Sequence, residues 1–553
     1  MEIKDILKQD IERAIQGAVA AGELPDGTYP AVVLEVPPQK EFGDFSTNIA
    51  MQSARVAHKS PRDIAQAILK HISQDHITKT DVAGAGFINF FVKSDVIYDT
   101  LRQALAAGEA YGQKAERPDD YIQVEYVSAN PTGLLHVGHG RGAAYGSALV
   151  NLLRADGYKV DAEYYINDAG KQIDNMALSV NARYMELLGK PSEFPENGYH
   201  GQDIIDTAQA LIDWKGDFFL SLPETERIPF FKEYALCEKL DGLRKTLNRF
   251  NVHFDTWFSE RSLYKGKIQA AIKQLQADGK IYEKDGALWL KSTECGDDKD
   301  RVVVRDNGEG TYLAADIAYH RDKCDRGFKE IIDIWGADHH GYVARVKAAL
   351  QLLGYDPDKM TVLLLQMVAL FRDGELVKMS KRTGESVTLD ELLDEVGVDA
   401  ARYFFLMRSL DSQLDFDINL AASKSNDNPV YYIQYAHARI HSIFNQVKEA
   451  GVNLGDWSQV DFTPLTTERE LELIKKIGEY PEEISVAAAH RAPHRIARYL
   501  YELAGLFHSF YKQGRIIGVE SNLQQARLGL ITAVGLVLRS GLGILGISAP
   551  DKM

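Results

Sequence analysis

Apolar and polar residues follow three rhythms along this 553-residue chain. Residues 1–113 open on an amphipathic run, "IKDILKQDIERAIQGAVA", whose apolar positions recur at helical spacing. "YPAVVLEVPP" and "EFGDFSTNIAMQSARVAH" follow, then "GFINFFV", a strand bounded by Gly86 and Lys93. This is a mixed α+β unit, and the charged, Pro-containing "QKAERPDD" reads as its linker. Over 114–420, strand-length runs ("YIQVEYV", "KVDAEYYIND", "EIIDIWGAD", "TVLLLQMVAL") alternate with helical segments such as "GRGAAYGSALVNLLRADG" and "HHGYVARVKAALQLLG". Strand, helix, strand predicts an α/β fold with a doubly wound parallel, Rossmann-like sheet. Residues from about 176 to 300 are mostly helical, with "ALWLKST" as a hairpin strand. That is long for a crossover and reads as an insertion. Over 421–553 the β signals fade, and helical runs punctuated by Gly and Pro predict an all-α bundle.

Composition narrows the class. Apolar residues make up 45% and charged residues 26%, the balance of a soluble globular chain. No run of about 18 apolar residues stands out, so no membrane span is expected. The N-terminus lacks the basic and apolar regions of a signal peptide, and cytoplasmic residence is the expectation. Three cysteines stand far apart in no metal-ligand spacing, so neither a disulfide framework nor a structural metal site is expected. The net charge of −16 argues against coating nucleic acid by bulk electrostatics. It is uneven, however: from Val430 onward 13 Lys and Arg face 12 Asp and Glu.

Two stretches carry chemistry. In "SANPTGLLHVGHGRGA", His136, Gly138, His139 and Gly140 stand where the first sheet strand turns into a helix. A helix start offers backbone N–H groups and a positive dipole end to an anion. Both histidines can hydrogen-bond phosphate, and the glycines let a ligand approach the backbone. Alone, this is equally a Gly-rich turn with capping histidines. In "VKMSKRTGE", Lys378 and Lys381 flank Met379 and Ser380, a pattern able to clasp a leaving pyrophosphate. A lone KxSK is more often a solvated loop.

Together, and in this order, "HVGH" (136–139) and "KMSKR" (378–382) resemble the HIGH and KMSKS signatures of class I aminoacyl-tRNA synthetases. Val replaces Ile in the first and Arg382 the final Ser in the second. The resemblance extends over essentially the whole chain to the arginyl-tRNA synthetase family, carried by "FGDFSTNIAM", "VEYVSANPTGLLHVGHGRGA", "YYINDAGKQ", "FNVHFDTWFSE", "TYLAADIAYHRDK", "IDIWGADHHGYVARVKAAL" and "NPVYYIQYAHARI".

The resemblance implies ligation of L-arginine to tRNA(Arg) through an arginyl-adenylate. His136, His139, Lys378 and Lys381 would be catalytic. Gly138, Gly140, Gly336, His339, Met379 and Ser380 would face ATP. Glu125, Asn130, Tyr312, Asp316 and His340 would face arginine, whose guanidinium calls for anionic and planar partners. "INDAGKQ" reads either as a plain turn or as a wall of the same mouth. ATP is expected to arrive with Mg2+ as substrate, with no tightly bound cofactor and no protein metal cage. The helical tail resembles an anticodon-binding unit. Arg491, Arg495 and Arg498 at helical spacing, with Tyr499, Tyr501, Phe507 and Tyr511 nearby and Tyr435 upstream, are its candidate RNA contacts. The family implies a monomer and no membrane partner. A small-molecule nucleotidyltransferase is the competing reading, because an HxGH turn also serves adenylyl transfer, but it leaves the KMSK stretch and the helical tail unexplained. A non-catalytic RNA-binding relative would be expected to lack His136, His139 or Lys381.

Overall fold

A computed structural model describes residues 3–37, 39–377 and 387–553. Its central sheet has five parallel strands in the order Met360–Leu365, Glu330–Gly336, Arg117–Glu125, Tyr158–Ile166, Thr256–Ser259. The strand that comes first in sequence stands in the middle. The chain adds Tyr158–Ile166 on one side and later crosses to place Glu330–Gly336 on the other. Strand order therefore reverses beside Glu125, and a crevice opens at the carboxyl ends, where doubly wound sheets bind ligands. Helices cover both faces, so runs such as "EIIDI" are buried nearly throughout.

The helix Val137–Ala155 leaves the central strand and is buried along most of its length. Gly146 explains how it lies so close: a Cβ there would stand 2.2 Å from Cγ of Tyr126. The expected "TVLLLQMVAL" strand is two strands. Met360–Leu365 belongs to the parallel sheet, whereas Val368–Arg372 joins a separate three-stranded sheet with Leu414–Asp417. The break falls at Gln366, whose N–H donates to the Leu410 carbonyl (3.1 Å) and whose carbonyl accepts from buried Arg141 (2.9 Å). The expected insertion is likewise interrupted. Helices Lys171–Leu187, Gln202–Lys215 and Glu224–Arg249 form a lobe, but Thr256–Ser259 then returns to the main sheet as its edge. Only afterwards come the helix Lys267–Ala277 and a three-stranded antiparallel sheet, in which Ala287–Leu290 pairs as a hairpin with Ile281–Lys284.

In the N-terminal unit the helices Ile3–Ala20 and Pro61–His71 accompany an antiparallel sheet ordered Phe45–Thr47, Phe87–Val92, Ile77–Ala83. The "YPAVVLEVPP" run contributes only a bridge between Glu35 and Ser46. The C-terminal helices are Pro429–Glu449, Glu468–Gly478, Tyr480–Ala489, His494–Gln513 and Ser521–Ile544. Ser521–Ile544 is long and apolar enough to cross a membrane by length and composition, contrary to the expectation of no such run. Here Leu528, Ile531, Val534 and Leu538 are buried within the bundle. Fully buried Arg402 ties bundle to sheet, donating to the Leu545 carbonyl (2.8 Å), the Phe250 carbonyl (2.9 Å) and Ser147 Oγ (2.8 Å).

Candidate active site

The His136 turn caps its own helix. His136 Nδ1 accepts from the Gly138 N–H (3.1 Å), and His139 Nδ1 accepts from the His136 N–H (3.2 Å). This is the reciprocal logic of a capping box, made here by two histidines. With both Nδ1 atoms used as acceptors, a neutral ring carries its hydrogen on Nε2. Both histidines can thus offer a neutral Nε2–H donor to a phosphate oxygen. Burial, with a contribution from His136, pushes the His139 pKa down to about 3, so His139 donates without charge. Sequence alone left either ring open to protonation near a polyanion; burial disfavours that for His139.

The expectation of open backbone amides is corrected. The N–H groups of Val137, His139 and Gly140 reach the carbonyls of Val387 (3.3 Å), His136 (2.9 Å) and His136 (3.2 Å). Nor does Gly140 clear space for a nucleotide: a Cβ there would meet Leu389 Cδ1 at 2.8 Å and Phe405 at 3.1 Å. Its missing side chain serves packing of the protein against itself. At Gly138 a Cβ would crowd the His136 ring at 2.9 Å, so glycine permits the cap.

Lys378, Met379, Ser380 and Lys381 lie outside the described residues. The chain from Val387 onward is tied to the first motif. Val387 accepts from Val137 N–H, Thr388 bridges His136, and the Leu389 N–H donates to the Leu135 carbonyl (2.7 Å). Thr388 also caps the helix Leu389–Val396 in a Thr–Glu391 capping box. The fold thus carries Val387–Leu389, which follow the second motif in sequence, to the start of the first.

Beside this turn is the pocket expected to hold arginine. Glu125 ends the central strand. Val127 and Ser128 then take left-handed φ values of 67° and 40°, strained for non-glycine residues. Ser128 Oγ holds the turn by donating to Glu125 Oε1 (2.9 Å) and accepting from the Tyr165 N–H (3.1 Å). Asn130 follows, exposed, donating to Gln172 Oε1 (2.8 Å) and lying 3.1 Å from the Asn167 amide. The "INDAGKQ" segment therefore does border this mouth.

Across the crevice runs the helix Tyr312–Asp325. Tyr312 opens it, exposed, and Asp316 lies one turn inside, accepting a hydrogen bond from Tyr342. Burial raises the Asp316 carboxyl above its ordinary range, opposed by the Tyr342 hydrogen bond. Glu260, just past the edge strand, is buried nearby and pushed up to about 7, mainly by desolvation, with Asp316 and Asp168 adding repulsion. Gly336 ends its strand, and His339 and His340 stand exposed at the following turn. They line a cleft of about 630 Å³ with Asp297, Arg301, Tyr342 and Arg345. Tyr342 and Glu260 were not singled out in the sequence, although both lie inside segments that carry the family resemblance.

Beneath the pocket is a larger omission. Asp333, Glu125 and Glu163 lie abreast on three adjacent strands, in direct register. Tyr319, His320, Lys323 and Arg326 come down on them from the Asp316 helix. A signal was present: Asp316, Tyr319, His320, Lys323 and Arg326 recur at helical spacing.

The helical tail changes the RNA-contact picture. Arg491 is not on a helix face with Arg495 and Arg498. It precedes Pro493 in a left-handed conformation (φ 52°), ion-paired to Glu330, and the helix starts at His494. Arg495 is held by Glu483 (2.7 and 2.9 Å), and Arg498 is 83% exposed beside Glu502. Tyr499 and Phe507 are core residues, as aromatics at helical spacing commonly are. Tyr435 is half-exposed, stacked on Tyr431 with ring centroids 6.3 Å apart, and the Arg439 guanidinium lies over both Tyr435 (5.0 Å) and Tyr511 (5.2 Å). Among the described residues one cluster, His437, His441 and Asp551, has donor spacing that suits a metal. The Arg539 guanidinium already stands there, 3.2 Å from His441 and 3.4 Å from Asp551.

Comparison with known proteins agrees with this geometry. Three family models match in sequence: an arginyl tRNA synthetase N-terminal domain over residues 2–92, a class I (R) tRNA synthetase catalytic domain over 100–411, and a DALR anticodon-binding domain over 433–553. The chain is 54% identical over 540 residues to an arginine–tRNA ligase of Carboxydothermus hydrogenoformans, covering 97% of both. It is 50% identical to an arginine–tRNA ligase of Bacillus subtilis, covering 100% of this chain and 99% of that one. The fold resembles the arginyl-tRNA synthetase of Thermus thermophilus, with a TM-score of 0.74 at 24% identity over 99% of this chain and 100% of the other. On its full-length identity to these ligases and its three matching domains, the chain belongs to the arginyl-tRNA synthetase family.

Proposed function

We propose that the chain ligates L-arginine to tRNA(Arg) in two steps. A carboxylate oxygen of arginine attacks the α-phosphorus of ATP, the bond to the bridging oxygen breaks, and pyrophosphate leaves. The 2′-hydroxyl of the tRNA terminal adenosine then attacks the carbonyl carbon of the adenylate and AMP leaves. The observation that carries this reading is the meeting of Leu135–Val137 with Val387–Leu389 beside an acid-lined pocket at the sheet's switch point.

In this reading His136 and His139 donate Nε2–H to the phosphates, and Lys378 and Lys381 neutralise the departing pyrophosphate. Mg2+ enters bound to ATP, as substrate. Gly336, His339, Met379 and Ser380 border the adenosine, with Gly138 at the cap. Asp316, Tyr312 and Glu125 face the cationic groups of arginine, Asn130 its amino end, and His340 the pocket rim. Tyr435 with Tyr431 and Arg439, and the outward Arg498, form the surface offered to the anticodon loop. The enzyme works as a cytoplasmic monomer, built of units over 1–113, 114–420 and 421–553.

Charging of total tRNA with arginine, alongside ATP–pyrophosphate exchange in the presence of tRNA, tests the proposal. Arginine-dependent charging supports it. Exchange that requires a non-amino-acid acceptor, with no charged tRNA, would point instead to the nucleotidyltransferase reading.

A further inference from the structure

The row of acids beneath the pocket poses an electrostatic problem. Asp333, Glu125 and Glu163 are mutual neighbours across the sheet and almost inaccessible to solvent. Like charges directly opposite one another destabilise a sheet, and buried carboxylates without counterions take up protons. The Asp316 helix answers the row from end to end. Arg326 grips Glu163 with both terminal nitrogens (2.9 Å for one of them). The Tyr319 hydroxyl lies between Glu163 Oε1 (2.5 Å) and Glu125 Oε2 (2.9 Å). His320 places its ring nitrogens 2.9 Å from Asp333 Oδ2 and 2.8 Å from the Asp316 carbonyl.

Lys323 is the centre of this arrangement. Its side chain is fully buried, and its ammonium donates to Glu125 Oε2 (2.5 Å) and Asp333 Oδ1 (2.7 Å). One cation is thereby shared between two carboxylates. Asp333 has a second partner in His320. Among the described residues, Glu125 has only hydroxyl donors besides Lys323, from Ser128 and Tyr319. Other groups around the row are Asp316, Tyr342, Tyr165 and Glu260, none of them a cation.

We propose that Lys323 is a positioning residue for arginine: by bridging Glu125 and Asp333 it keeps Glu125 an ionised, fixed acceptor for the substrate's positive charge, without touching substrate itself. This rests on the reading that Glu125 faces arginine. The share of charge explains why a lysine serves better here than a dedicated partner for Glu125. A cation paired to Glu125 alone would cancel the negative charge that arginine is to meet. A shared one orients the carboxylate and leaves the pocket net anionic. The titration tendencies agree. Burial raises both acids, but Lys323 and His320 hold Asp333 down to about 2, whereas Glu125 stays above its ordinary range. A proton forced into the row therefore goes to Glu125.

The test is steady-state charging by Lys323→Met, Lys323→Arg and the double variant Lys323→Met/Asp333→Asn, between pH 6.5 and 9. Lys323→Met removes the cation that lowers the Glu125 carboxyl pKa and should raise it further. Each unit by which its pKa exceeds the working pH removes about tenfold of the ionised form. Arginine KM should rise about tenfold or more at pH 7, recover as pH rises, and leave ATP KM within about twofold. Lys323→Arg should keep the wild-type pH dependence. The double variant removes one cation and one anion, which guards against misfolding, and should show a smaller arginine KM defect than Lys323→Met. A pH-independent fall of kcat with both KM values unchanged, or an arginine KM within about twofold of wild type in both Met variants, would overturn the proposal. Glu125→Gln separates the two layers: if it leaves arginine KM unchanged, the placement of Glu125 is wrong, whatever Lys323 does.

Discussion

Asp316→Asn isolates the charge of the arginine pocket with little change of shape. Asn keeps an oxygen to accept from Tyr342, so the hydrogen bond between the two helices survives. What is lost is a half-buried negative charge facing a guanidinium. Two unit charges about 4 Å apart interact by about 4 kcal/mol at an effective dielectric of about 20. Leaving one partner of a buried pair unmatched costs about 3–5 kcal/mol. At about 1.4 kcal/mol per tenfold, arginine kcat/KM should fall by about two to three and a half orders of magnitude. ATP KM should hold, because the phosphates meet the His136 turn rather than this helix. Stability should move the other way. Burial raises the Asp316 pKa, so its favourable contribution is present below the unfolded value and is lost as pH rises through the folded one. At pH 8 the ionised group burdens the fold, and the Asn variant should melt no lower than wild type. Charging kinetics with varied arginine and varied ATP, paired with thermal melts, decide the matter. Arginine KM within about threefold of wild type, or an equal loss against ATP, would refute the reasoning.

Other outcomes follow from single contacts. Because Glu260 is pushed up to about 7, arginine KM should fall as pH rises from 6 to 8, and Glu260→Gln should flatten that profile. The same raised pKa means Glu260 stabilises below its unfolded value and ceases to do so as pH passes 7, so Glu260→Gln should gain about 2–3 kcal/mol of stability at pH 8 relative to wild type, read by denaturant titration. Gly146→Ala drives a methyl group into the buried Tyr126 ring and should lose about 1–3 kcal/mol in the same titration. Arg498→Ala should leave melting and arginine activation unchanged while lowering the salt dependence of tRNA binding by a slope of about 0.7–1, measured by filter binding.

The sheet strands were legible because strand-length runs rich in β-branched and aromatic residues, such as those around Ile122, Val160 and Ile332, alternate with helical segments, even though each run also carries a buried acid. Thr256–Ser259 was not, because four residues carry too little periodicity to separate a strand from a turn. Pro493 marked the break that detaches Arg491 from the helix, but the arginine spacing suggested continuity across it. The HVGH turn was visible as a motif. That the Val137 amide is spent on Val387, and that Gly140 packs against Leu389, depended on where the chain beyond residue 386 returns.

By itself, the sequence determined most of the elements, their order and the two signature motifs, because periodicity and local chemistry are properties of neighbouring residues. The tertiary structure alone decided which charges meet. Glu125, Glu163 and Asp333 are far apart in the chain, and each looks like an isolated polar residue within an apolar run. Parallel pairing sets them side by side, and one helix and its C-cap supply Lys323 and Arg326 to hold them. Buried charge is stable only in company, and that company is assembled by register and packing rather than by spacing along the chain.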